Sequence, residues 1–153
     1  MNKTFLIPVA FLFTACASFA PQEGTWSLSS PEITEDSCGF GDQMESDGDS
    51  SFSIALTDDG FSITGDEDGA KAVSCALDGK NFTCDDNVEK VEESTITVTT
   101  TISYDGSFTS ETEASVNIGV NIACEGDDCA AVEAQSGVSL PCDVKGTSSA
   151  TAQ

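Results

Sequence analysis

Through most of this chain, apolar side chains recur at every second position, with small polar side chains between them. The clearest run is 116–122, in which Val and Ile alternate with Asn and Gly. Further alternating runs lie at 52–56, 61–63, 73–77, 82–84, 96–104 and 138–144. Strict alternation is typical of antiparallel strands that bury one face. Together with a strand beginning at Trp26, it predicts an all-β fold, an antiparallel up-and-down barrel or sandwich of about 8–9 strands.

The connections between these runs carry turn and helix signals. Three Asp-Gly pairs predict tight hairpin turns: Asp59-Gly60, Asp78-Gly79 and Asp105-Gly106. Residues suited to helix N-caps precede 88–91 and 129–135, and predict a short helical turn in each. The connection from Ser30 to Ser50 is acidic and rich in Gly, and it is predicted as a long loop that Cys38 ties down.

The N-terminal segment has the parts of an export signal. Lys3 supplies a positive charge, 4–13 are apolar but too few to span a bilayer, and small residues precede Cys16. The segment resembles the lipobox of bacterial lipoproteins, although Phe13 stands where that motif usually has Leu. The resemblance implies cleavage before Cys16, acylation of its sulfur, and attachment to a membrane through the acyl chains.

This interpretation divides the chain into a signal peptide at 1–15, a lipid-anchored tether at 16–24 and a β domain at 25–150. It predicts an exported protein of the bacterial outer membrane or cell surface, facing the periplasm or the exterior. The alternative is simple secretion, with cleavage after Ala20 and Pro21 as the first mature residue.

Six cysteines remain once Cys16 is assigned to the leader, and an even set in an exported chain predicts disulfides. Six cysteines can pair in many ways. We expect Cys75–Cys84 across a hairpin turn and Cys124–Cys129 around a short loop, which leaves Cys38–Cys142.

The composition of the chain excludes one class of partner and supplies few groups suited to catalysis. The chain has 27 acidic residues and five basic ones, all Lys, for a formal net charge of -22. Such a surface repels phosphate backbones, so nucleic-acid binding is excluded. Without His there is no triad base or imidazole ligand, and disulfides would consume the thiols, so no catalytic residues and no enzymatic activity are predicted.

Two acidic clusters are weak candidates for a calcium site, since their oxygens stand at alternate positions. Their residues are Glu45, Asp47 and Asp49, and then Asp66 and Asp68. Neither cluster completes an EF-hand pattern, and acidic turns are the more ordinary interpretation. No other cofactor is predicted.

Gly24-Thr25-Trp26 opens the first strand, and here the chain resembles the lipocalins and related calycin barrels. Those proteins share a G-x-W motif, about eight antiparallel strands and a long first loop over the barrel mouth. The usual late Arg beneath the Trp is missing. The resemblance implies an interior that holds a small apolar ligand, with Trp26, Phe40 and Met44 at its mouth.

Two functions therefore remain open. The first is a non-catalytic binding module for a small apolar ligand. The second is an envelope or surface protein that binds a protein partner or divalent cations through its acidic face. The inward side chains are mostly Phe, Ile, Leu and Val, which favours a filled interior slightly over a pocket.

Overall fold

Ten antiparallel strands and one helix make up the computed structural model, which describes residues 19–40, 49–67, 69–93 and 95–153. The predicted all-β fold is confirmed. The elements are β1 Gly24–Leu28, β2 Glu32–Asp36, β3 Ser50–Thr57, β4 Gly60–Gly65, β5 Val73–Asp78, β6 Asn81–Cys84, β7 Asn87–Glu93, β8 Ile96–Ser110, β9 Glu113–Gly126, α1 Cys129–Ser136 and β10 Cys142–Ala152.

Eight of the strands close into a barrel. Their order around it is β1, β3, β4, β5, β6, β8, β9 and β10, with every neighbouring pair antiparallel. The barrel closes because β10 pairs with β1, where Trp26 lies opposite Ala152. Closure leaves these eight strands without free edges and fixes which alternate side chains point inward.

The other two strands extend the sheet beyond one end of the barrel. The strands β8, β9 and β10 have 15, 14 and 11 residues, and their outer halves continue past the barrel wall. There β7 pairs with the first half of β8, and β2 pairs with the first half of β10. The result is a five-stranded extension made of β7, the outer halves of β8, β9 and β10, and β2.

A second small core stabilises this extension. It centres on the Cys38–Cys142 disulfide and Val144, and Ile33 and Phe40 pack against it. The other two disulfides are Cys75–Cys84 between β5 and β6, and Cys124–Cys129 between β9 and α1. All three pairs are the ones expected from the sequence.

Two segments that were predicted as a loop and as a helical turn contain strands instead, namely β2 and β7. The predicted long loop at 30–50 contains the acidic strand β2, which pairs with β10 and lies opposite its Lys145. The predicted helical turn at 88–91 lies inside β7, because pairing along β8 satisfies its backbone where a single isolated turn would not. The predicted helix at 129–135 is confirmed as α1.

The Asp-Gly turn predicted at 105–106 was also wrong. Asp105 and Gly106 lie within the continuous strand β8, whose turn to β9 comes later, at 111–112. Asp105 accepts a hydrogen bond from Asn117 at 2.7 Å, and Phe82 lies opposite Gly106. A local turn preference therefore gives way here to cross-strand packing.

The backbone of β8 at Gly106 lies too close to Ser115 and Phe82 to leave room for a side chain. A Cβ at Gly106 would lie 2.1 Å from the Ser115 carbonyl oxygen and 2.8 Å from Phe82 Cζ. We expect Gly106→Ala to lower the free energy of unfolding by about 2–3 kcal/mol. Gly65→Ala is the control, because its Cβ would meet only Ala70 Cβ at 3.6 Å. Equal urea midpoints for the two variants would contradict the packing of β6 on β8.

Candidate functional site

The barrel contains a cavity of about 550 Å³, and Asn87 and Glu89 of the extension line part of it. This volume lies in the range typical of small-molecule sites. Side chains therefore fill only part of the interior, whereas the sequence slightly favours a filled one. The cavity has a closed aromatic end, an apolar wall and a polar mouth.

The closed end is a cluster of aromatic side chains. Trp26 is fully buried there, and its Nε1 donates a hydrogen bond to the Gln22 carbonyl oxygen at 2.9 Å. The Phe108 ring centroid lies 5.9 Å from that of Trp26 and 5.5 Å from that of Phe61. Phe19 packs on Phe108 at 5.3 Å, so the segment before β1 contributes to closing this end.

The wall of the cavity carries apolar side chains that point inward and yet are only half-buried. They are Leu28, Phe52, Ile63 and Val73, on four different strands. Filled barrels bury such positions against one another. Here the cavity keeps them in contact with solvent, so a bound apolar molecule would remove their remaining surface from water.

Tyr104 contributes a phenol hydroxyl to the cavity wall. It lies on β8, and burial raises the pKa of its phenol above the ordinary value. The phenol thus stays protonated at neutral pH. Its hydroxyl has no hydrogen bond to another residue that the structure describes, which leaves it able to donate to or accept from a ligand.

The mouth of the cavity is bordered by exposed, mainly acidic side chains. Asp66 and Glu67 follow β4, Lys71 precedes β5, and Glu89 lies on β7. Asp66 also accepts a hydrogen bond from Ser51 Oγ at 2.5 Å, which fixes the turn to the start of β3. The described part of the mouth therefore carries more negative than positive charge.

The predicted mouth residues lie in different places. Trp26 lines the cavity, but at its closed end. Phe40 packs in the second core instead, because the Cys38–Cys142 disulfide draws its segment to β10. Met44 lies outside the described residues. The sequence interpretation missed Tyr104 and Glu89, although Tyr104 is the only tyrosine and alternates in phase with the apolar residue Ile102.

The candidate calcium residues are only partly described. Asp49 and Asp66 lie at the start of β3 and after β4, whereas Glu45, Asp47 and Asp68 lie outside the described residues. Among residues 19–40, 49–67, 69–93 and 95–153, no group of three or more acidic or cysteine side chains is placed to hold a metal ion. The calcium site stays a prediction, as does the acylation of Cys16, which also lies outside those ranges.

Comparison of the chain with protein-family models, with curated proteins and with solved structures finds no match. The closed eight-stranded antiparallel barrel is consistent with a calycin-like fold. In the part of the chain that the structure describes, no helix has the length and apolar character needed to cross a bilayer.

Proposed function

We propose that this protein is a non-catalytic binding module that holds one small, mainly apolar molecule inside its barrel. The observation that carries the proposal is the partial exposure of the inward side chains Leu28, Phe52, Ile63 and Val73. Each such side chain contributes up to about 1.5–3 kcal/mol when it passes fully from water to an apolar contact. Part of that energy is available to a ligand.

The polar groups support the same function. Tyr104 offers a hydrogen bond beside the apolar side chains of the wall, and a few polar groups in a mainly apolar lining are usual in small-molecule sites. Trp26 and its aromatic neighbours form a rigid closed end with no side chain placed for acid–base or nucleophilic chemistry. A ligand would be retained in this cavity rather than transformed.

A filling variant tests the proposal. We expect a neutral, environment-sensitive dye such as N-phenyl-1-naphthylamine to bind the wild-type protein with a fluorescence increase. Ile63→Trp places a larger ring in the cavity and should weaken dye binding by about tenfold or more. Val88→Trp is the matched control, because Val88 is 50% exposed and does not line the cavity.

The two variants separate the cavity from the outer surface. Equal binding by Ile63→Trp and Val88→Trp would place the dye outside the cavity and contradict the proposal. Circular dichroism of both variants would verify that Ile63→Trp is folded, and an unfolded variant would be replaced by the smaller change Val73→Phe.

We also propose that the exported chain is anchored through acylated Cys16, as the N-terminal segment suggests. Phe19 packs at the closed end of the barrel, and the backbone from Phe19 to Cys16 spans at most about 11 Å. An anchor there would hold the closed end near the membrane and direct the mouth away from it. The intact mass of protein from its own membrane should begin at Cys16 with acyl chains; a chain beginning at Pro21 would contradict the anchor.

Cation binding at the mouth is the second candidate. The pairing of Phe52 with Gly65 brings the ends of the two acidic segments side by side, with Asp66 bonded to Ser51. If calcium binds the folded state there, the melting temperature must rise in calcium relative to EDTA. An unchanged melting temperature would remove this candidate and leave the apolar cavity as the proposed site.

A further inference from the structure

The charge around the cavity sets limits on the head group of its ligand. We propose that the barrel selects apolar molecules with a neutral or positively charged polar end and discriminates against carboxylates of the same length. This inference rests on the proposed function and adds a ligand class to it.

The first support is the composition of the mouth. Asp66, Glu67 and Glu89 border it, and Lys71 is the only basic side chain among the described residues that line the cavity. A polar end held at this rim would lie within range of several carboxylates. A cation there is attracted, and an anion is repelled.

The other lysines among the described residues lie away from the cavity. Lys80 Nζ donates to the Thr109 carbonyl oxygen at 2.8 Å, beside the closed end. Lys145 pairs with Glu35 at 2.7 Å on the extension. Lys90 neighbours Glu89 along β7, so its side chain leaves the opposite face of the sheet. None of them lines the cavity.

The inner part of the cavity offers no compensation to an anion. A phenol, that of Tyr104, lies there, and it is uncharged at neutral pH. A carboxylate drawn in that far would lose its hydration without gaining an opposite charge. An alcohol or amide would need only the one hydrogen bond that Tyr104 can provide.

Glu89 and Tyr104 offer a polar head group two positions at different depths of the cavity. Glu89 lies opposite Thr100, and Tyr104 lies four positions farther along β8, about 13 Å away along the strand. An amphiphile with its apolar body against the aromatic end could place a hydroxyl near Tyr104 or an ammonium group near Glu89. Both head groups are compatible with the site, whereas a carboxylate meets like charge at the rim.

The test compares ligands that differ only in the head group. Decylamine, decanol and decanoate would compete with the neutral dye for the wild-type protein at pH 7 and low ionic strength. We expect decylamine to bind at least about tenfold more tightly than decanoate, with decanol between them. The difference should shrink in high salt, because exposed charges are screened.

Two charge variants locate the effect. Glu89→Gln should reduce the preference for the amine over the carboxylate about threefold. Glu111→Gln makes the same change of charge at the exposed turn between β8 and β9, beside the closed end, and should leave the preference intact. Equal effects of both variants would attribute the preference to the overall charge and overturn the assignment to the mouth.

The outcomes separate the two proposals. Decanoate binding as tightly as decylamine would overturn the head-group inference while the proposed apolar site stands. Failure of all three ligands and of the dye to bind would overturn the proposed function, and the inference with it.

Discussion

Replacing Trp26 by alanine should lower the free energy of unfolding by about 3–5 kcal/mol, the range for truncating a fully buried aromatic side chain. Trp26 has no exposed surface, and its ring packs 5.9 Å from Phe108 and 6.3 Å from Phe52. The variant would also leave the Gln22 carbonyl oxygen without its indole donor. A loss of this size is a large fraction of the stability of an ordinary domain.

Trp26→Phe is the graded control. It keeps an aromatic ring at the closed end but removes the Nε1 donor, so we expect a smaller loss, of about 1–2 kcal/mol. Urea unfolding followed by circular dichroism is the appropriate measurement, because Trp26 is the only tryptophan and its fluorescence disappears in both variants. A loss below about 1 kcal/mol for Trp26→Ala would contradict the packed closed end.

Removing the Cys38–Cys142 disulfide should have an effect of similar size. It joins positions separated by 104 residues, whereas Cys124 and Cys129 are separated by five. In the chain-entropy account, a loop of the first length is worth about 5 kcal/mol and the second about 2 kcal/mol. The double variant Cys38→Ala/Cys142→Ala should therefore lose more stability than Cys124→Ala/Cys129→Ala.

The loss of stability should be greatest in the part of the fold around the Cys38–Cys142 disulfide. Cys38 and Cys142 are buried in the second core, and Ile33 and Phe40 pack against them. Hydrogen exchange should therefore accelerate in β2 and the start of β10 before it does so at the closed end of the barrel. Equal losses in the two double variants, or faster exchange at the closed end alone, would contradict the role assigned to this disulfide.

The sequence predicts the barrel itself well, because alternation is a property of each strand. Runs such as 52–56 and 116–122 show which side chains face inward without knowledge of the partner strand. Cys75–Cys84 follows from a hairpin, Cys124–Cys129 from a short loop, and Cys38–Cys142 is the pair that remains. The wrong assignments of secondary structure, namely β2, β7 and Asp105-Gly106, lie where pairing with another strand decides the conformation.

The cavity is less predictable, for a different reason. The same inward residues can meet across a narrow barrel or line a space in a wider one, and the diameter depends on strand number and stagger. The position of Phe40 was also unpredictable, because it depends on which cysteine pairs with Cys38. Tyr104 was accessible to sequence reasoning, as the only tyrosine of the chain, in phase with Ile102 on β8.

The most direct measurement is the set of proton contacts between a bound apolar molecule and the methyl groups of the protein. Nuclear Overhauser effects recorded with bound decanol should connect its alkyl protons to the methyl groups of Leu28, Ile63 and Val73, which line the cavity. The exposed methyl groups of Val88 and Val91 should give none. Contacts confined to Val88 and Val91 would contradict the claim that the barrel interior is the binding site.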